Sequence, residues 1–317
     1  MSTDREKVHF TSGGTQCAAW HYPSANGACV VMAGGFAVTK EPATDAFAAR
    51  FHAAGFGVLA FDYRRLGESG ERPRQLVRVG EQLADWQAAL AFAATLPGVD
   101  PDRLALWGFS ATGGHIFRIA ARNPQLAAAI AQTPNAGGLA AGRAATRFQT
   151  QPALLRTTGR GIADALGGLV GRAPRLIALG GEPGTVAVLT TPDVADAARA
   201  LNPDGRYPDW QQEVAARSVL RLSVYQPGRA AARVRCPLLV LVCEQDRSAY
   251  PPAAIAAARR APNAELVQLP GGHYAPFLDV HEQAVEAELA FLRRHVLDAV
   301  AGPARTGEPA RLSRSVD

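Results

Sequence analysis

The chain has 317 residues, 48% of them hydrophobic and 19% charged, which excludes an unfolded chain and leaves an ordinary soluble globular protein with room for a sizeable core. Its net charge of +5 comes from arginines spread without a basic stripe or interleaved aromatics, so no nucleic-acid partner is expected. The opening "MSTDREKVHF" has no apolar stretch after its charges, and no run approaches the roughly 18 residues of a membrane span, so the expectation is a cytoplasmic protein without a membrane partner.

In chain order, "KVHFTS" and "QCAAWHYP" alternate in polarity and predict an antiparallel hairpin at a sheet edge. From residue 27 short apolar β-rich runs alternate with helical patterns: "GACVVMAGG", a helix from Thr44 to Ala54, "FGVLAFD", a helix from Val79 to Thr95, "RLALWGFS", a helix from Thr112 to Arg122, and "LAAAIAQT". This rhythm predicts an α/β fold, a mostly parallel sheet buried under helices on both faces. It stops after Thr133. From there to about Val234 the chain is rich in Gly, Ala, Pro and Arg, with helical pieces "ALLRTTGRGIADALGGLV" and "DWQQEVAARSVLRLSVY" and no strand of the buried type. It then resumes with the strand "CPLLVLVCEQD", a helix from Pro252 to Arg260, the strand "AELVQLPGGH" and an amphipathic helix from Glu282 to Val300. The expected organisation is core over 1–133, a largely helical cap inserted over 134–234, core again over 235–301, and a disordered tail over 302–317. Cys17, Cys29, Cys236 and Cys243 show no C-x-x-C spacing and no nearby histidine cluster, so neither a metal nor a disulfide framework is expected.

Loops at the carboxyl ends of parallel strands converge on one edge, and four of them carry suggestive residues. "LALWGFSATGGH" places Ser110 directly after a strand and before a helix, the setting of an exposed nucleophile, although Thr112 stands where G-x-S-x-G has its second glycine and the glycines arrive late, at Gly113 and Gly114. By itself Ser110 reads equally as a helix N-cap. Asp246 and His273 follow the next two buried strands, giving the order Ser, acid, His. An imidazole can take the serine proton, and a carboxylate can fix its tautomer. Glu244 is the competing acid. Among the other histidines, His115 lies on the helix behind Ser110 and points away from its hydroxyl, while His9, His21, His52, His281 and His295 fall on edge or surface elements. The N–H of Ala111 is one donor for a developing oxyanion, and Phe36, with Gly35 as the alternative, is the second.

Together, "MAGGFAVTKE", "GFGVLAFDYRRLGES", "LALWGFSATGGH", "VCEQDRSAYPP" and "PGGHYAPF" resemble, in order, the α/β-hydrolase superfamily over nearly the whole chain outside the cap and tail. The likeness is to capped serine hydrolases such as X-prolyl dipeptidyl peptidases, dienelactone hydrolases and polyketide-associated esterases. It implies an α/β-hydrolase fold and a Ser110–His273–Asp246 triad, with Asp62, Tyr63 and Arg64 serving scaffold contacts. Many relatives carry His-Gly where this chain has Gly34-Gly35, so the bonds of that histidine are missing here.

The resulting expectation is a serine hydrolase that cleaves a small-molecule ester, lactone or thioester through an acyl-Ser110 intermediate, without cofactor or metal. Acyl transfer or cyclisation by the same triad, and ligand binding without hydrolysis, stand as alternatives. Arg143, Arg147, Arg156, Arg160, Arg172 and Arg175 face only Asp164 as a counter-charge, which suits either an anionic substrate or a solvated helix face. Oligomeric state is left open, a homodimer included.

Overall fold

A computed structural model of the chain describes residues 5–298; the expected tail over 302–317 lies outside them. Among the described residues the main sheet runs β1 (Glu6–Ser12), β2 (Thr15–Tyr22), β4 (Gly57–Phe61), β3 (Gly27–Ala33), β5 (Val99–Phe109), β6 (Ala128–Gln132), β10 (Leu238–Cys243), β11 (Ala264–Leu269). β1 and β2 form the expected antiparallel edge hairpin, β2 meets β4 antiparallel, and every later pairing is parallel.

The parallel strands are apolar throughout because both faces are covered. Along β3, Cys29, Val31 and Ala33 enter one apolar layer, while Ala28, Val30 and Met32 enter the other. Helices α2 (Val79–Ala93) and α3 (Ala111–Ala120) cover the first face; α1 (Lys40–Ala53) and α9 (His281–Leu292) cover the second. Each large aliphatic side chain buried this way contributes roughly 1.5–3 kcal/mol. All four cysteine thiols are free and buried, and burial pushes Cys29 and Cys243 up to about 12, so they act as small hydrophobes. After Leu292 the chain continues in a wide helical turn, Arg293–Leu297; the last residues of the helix expected to Val300 lie outside the described ones.

The interval after Thr133 holds helices α4 (Gly138–Ala145), α5 (Gln151–Leu169), α6 (Val194–Leu201) and α7 (Ala216–Ser223). It also holds a small sheet absent from the sequence reading, ordered β8 (Ala187–Leu189), β7 (Leu176–Gly180), β9 (Glu213–Ala215). The helix expected from 209 therefore begins only at Ala216. Core contacts draw the preceding residues into an extended form: the Gln75 side chain donates to the Glu213 carbonyl at 2.7 Å, and Ala215 N–H donates to the Gln75 carbonyl at 2.8 Å.

Behind β5, the Trp107 indole donates to Glu288 on α9 at 3.0 Å, while the other Glu288 oxygen is buried with no hydrogen-bond partner among the described residues. Burial raises this carboxyl well above the ordinary range, so it is held protonated. The folded chain then binds a proton that the unfolded chain releases above the usual glutamate pKa. Stability should fall as pH rises through that window, by at most about 1.4 kcal/mol per pH unit. Glu288→Gln should flatten this dependence, seen as a Tm that falls less than the parent's as pH rises above the usual glutamate range.

Candidate active site

β5 delivers the chain to Ser110 and α3 begins one residue later, so the backbone must turn sharply at the serine. Ser110 has φ 59° and ψ −119°, a conformation strained for a residue with a side chain. The turn is pinned from both sides: Ser110 N–H donates to the Gln132 carbonyl at 3.0 Å, and the Ser110 carbonyl accepts from Gly114 and Asn135 at 3.0 and 2.9 Å. A Cβ on Gly114 would lie 2.4 Å from the Asn135 carbonyl oxygen, so the late glycine is a steric requirement of α3 meeting the end of β6.

Thr112 has work that glycine could not do. Its hydroxyl donates to the Gly34 carbonyl and accepts from the Tyr63 hydroxyl at 2.8 Å, which in turn accepts from the Trp86 indole at 2.7 Å. This buried chain ties the loop after β3 to the elbow. Asp62 and Arg64 also hold scaffold: Asp62 takes Lys40 Nζ at 2.9 Å, and Arg64 pairs with buried Asp85 at 2.6 Å.

Ser110, His273 and Asp246 come together at the carboxyl edge. His273 Nε2 lies 2.9 Å from Ser110 Oγ, and Nδ1 lies 2.8 Å from Asp246 Oδ2. Asp246 Oδ1 accepts the N–H groups of Ser248 and Ala249, both at 2.8 Å, which fixes the carboxylate. With the imidazole proton directed at Asp246, Nε2 is left as acceptor for the serine hydroxyl. Burial pushes the His273 pKa down, but the charge and hydrogen bond of Asp246, with Asp193 adding, raise it overall above the ordinary value.

The competitors stand elsewhere. Glu244 is exposed, whereas Asp246 is buried. His115 is buried between Tyr225 and Gln82, at 3.0 Å from each, and burial beside Arg118 lowers it to about 3.

Phe36, Ser110 and Ala111 line one cavity of about 290 Å³. Ala111 is the first residue of α3, so its N–H has no carbonyl one turn back and is free to face the cavity. Gly35 also comes close, since a Cβ there would lie 3.3 Å from Ser110 Cβ. Most of the remaining wall is apolar: Phe109 and Val38 from the core, Leu179, Val194, Leu201 and Trp210 from the interval between β6 and β10. Among the described residues no charged side chain lines it, and the six arginines between 143 and 175 are not in its wall. Arg156 and Arg160 instead donate to the Gly184 and Leu176 carbonyls. The counter-charge Asp164 is buried, accepting the N–H groups of Arg175 and Arg217 at 2.7 and 3.0 Å. Exposed on α5 and away from the cavity, Arg156 and Arg160 match the solvated helix face of the two readings.

One residue that sequence reasoning missed is Asp193, just before α6. Its carboxylate accepts from His273 N–H at 3.1 Å, Arg247 N–H at 2.9 Å and the Ser248 hydroxyl at 2.8 Å, joining the insertion to both the histidine and acid loops. The local sequence "TTPDVADAARA" reads only as a helix start, and nothing within it points 80 residues ahead to His273.

Residues 25–288 match a family model described as the alpha/beta hydrolase family. A quorum-quenching protein, AidA of Acinetobacter baumannii (strain MDR-ZJ06), is 36% identical over 294 residues, 91% of this chain and 94% of its own. The polyketide transferase ATR5 of Stachybotrys chlorohalonatus (strain IBT 40285) is 32% identical over 183 residues, 57% of this chain and 58% of its own. Among solved structures, the alpha/beta hydrolase GrgF from Penicillium sp. sh18 superposes with a TM-score of 0.76 at 21% identity, covering 92% of this chain and 99% of that one, a likeness of fold.

Two outcomes follow for the site. Gly114→Ala should destabilise the fold by about 1–3 kcal/mol, because the new methyl must displace the Asn135 carbonyl, and chemical denaturation reads this directly. Asp193→Asn removes a negative charge that favours the imidazolium, so the His273 titration followed by NMR should move to lower pH.

Proposed function

Since the chain belongs to the alpha/beta hydrolase family, we propose that it is a serine hydrolase acting on esters, lactones or thioesters of an apolar, uncharged acyl group. The observation that carries this reading is the Ser110–His273–Asp246 hydrogen-bond chain, with bonds of 2.9 and 2.8 Å, opening into the apolar cavity of about 290 Å³. Ser110 Oγ attacks the acyl carbonyl carbon while His273 Nε2 takes the hydroxyl proton. The oxyanion that forms is met by the N–H groups of Ala111 and Phe36, with Gly35 as the alternative second donor. His273 then gives its proton to the leaving oxygen or sulfur. Water, deprotonated by the same imidazole, attacks the acyl-serine; the acyl C–Oγ bond breaks as His273 returns that proton to Ser110 Oγ, and the carboxylic acid is released. Asp246 holds the imidazole tautomer and stabilises its cation throughout.

The acyl group is read from the wall. Val194, Leu201 and Trp210 close the cavity with apolar surface, and the polar side chains present besides Ser110 are Asn135, Gln212, Ser248 and the phenol of Tyr274, all uncharged. Such a wall favours hydrocarbon and disfavours a charge. A second reading, transfer of the acyl group to an alcohol or amine, is supported by the likeness to a named polyketide transferase and by the apolar enclosure, which limits water at the acyl-enzyme. The ratio of acid to transfer product in the presence of an added alcohol separates the two.

A fluorophosphonate should add one equivalent at Ser110, seen by peptide mass, and Ser110→Ala should take up none and lose at least about a thousandfold in kcat/KM on p-nitrophenyl acyl esters. Retained turnover in Ser110→Ala would reject the assignment. Activity should rise with pH through a His273 pKa above the ordinary imidazole value, because the base must be neutral. Leu201→Trp should raise KM for longer acyl chains while leaving acetate esters nearly unchanged.

A further inference from the structure

Behind the acyl cavity lies a second, larger hollow of about 970 Å³, and α7 is the wall between the two. Leu222 of α7 faces the acyl cavity, whereas Arg217, Leu220 and Arg221 face the outer hollow. The two spaces share no lining side chain. The floor of the outer hollow is apolar, with Leu169, Leu220, Val224 and Tyr225, and Leu169 and Val224 are 83% and 59% exposed. Around it stand five arginines, Arg78, Arg118, Arg217, Arg221 and Arg229, and no carboxylate lines it. Arg78 is paired with Glu81 at 3.0 Å and Arg217 with Asp164 at 3.3 Å. Among the described residues no ion pair joins Arg118, Arg221 or Arg229 to a carboxylate.

Two further features belong to the same place. Arg118 lies 5.7 Å from the centre of the Tyr225 ring, whose hydroxyl is bonded to His115 at 3.0 Å, so this part of the wall is held from behind. Gln226, also in the lining, has a buried Nε2 that donates to nothing among the described residues. Guanidinium groups want an acceptor bearing negative charge, while the exposed leucine and valine want hydrocarbon.

We propose that this hollow is a binding site for a single-chain amphiphile with a carboxylate or phosphate head, its chain on the Leu169–Leu220–Val224 floor and its head among Arg118, Arg221 and Arg229. A hollow of about 970 Å³ with a single apolar side, Leu169, Leu220 and Val224, matches one hydrocarbon chain, which favours a free monomer. The assignment is independent of any role of Ser110.

The test is calorimetric titration of the full chain with dodecanoate below its micelle concentration, with dodecyl maltoside as the neutral-headed control. Saturable dodecanoate binding is expected, about tenfold or more tighter than the maltoside, and weakened about tenfold or more by Arg221→Glu/Arg229→Glu with Tm unchanged. Leu169→Glu, at an 83% exposed position where folding is not at stake, should weaken it as well. Absence of saturable binding overturns the proposal. So does equal affinity for the neutral amphiphile, or unaltered binding by the charge-reversed variant, which would place the ligand in the acyl cavity. Binding to phosphatidylglycerol vesicles without binding of the monomer also overturns it, in favour of a lipid surface.

Discussion

Everything at the carboxyl edge depends on one backbone constraint, the positive φ of Ser110. A serine with φ 59° costs energy that the chain must offset elsewhere, and the offsets are visible. Three backbone hydrogen bonds hold the turn between β5, β6 and α3, and glycine at 114 permits the close packing they need. The result sets the hydroxyl outside the sheet, clear of its own backbone, where an imidazole from a distant loop can reach it. A relaxed serine at this point would turn into the helix and serve as a cap.

The other residues of the edge answer to that placement. Asp246 is immobilised by two N–H groups of its own loop, which leaves one oxygen for His273. The loop after β3 is fastened to the elbow by Thr112, so the backbone around Phe36 is located relative to the serine through that side chain. The buried Trp86–Tyr63–Thr112 chain has every hydroxyl satisfied, which is the condition for a polar network to stiffen a core without weakening it.

Much of this was legible in the sequence, and what was not has a common cause. The edge hairpin alternates in burial along β1, and the central strands are continuous apolar runs, so both periods could be read directly. The order of Ser110, Asp246 and His273, each after a buried strand, needed only the rule that loops at the carboxyl ends converge. The small sheet could not be read the same way: β8 and β9 are three residues long, too short to carry a period, and β9 is set by bonds to Gln75 in the core. Thr112 was visible as a departure from a motif, but its value lies in Gly34 and Tyr63, which are neighbours only after folding. Asp193 was invisible because its partners are all on other loops.

Asp193 also has a mechanical meaning. It rides on the insertion, yet it holds the main chain at His273 and Arg247 and the side chain of Ser248. An insertion that lifts away from the sheet would carry this carboxylate with it and release the two loops that aim the imidazole at Ser110. Opening and reactivity would then exclude one another, as in an interlocked door that cuts the current when it swings. A serine left open to water would stand beside a slackened base, and full alignment would return only with the enclosure shut around its contents.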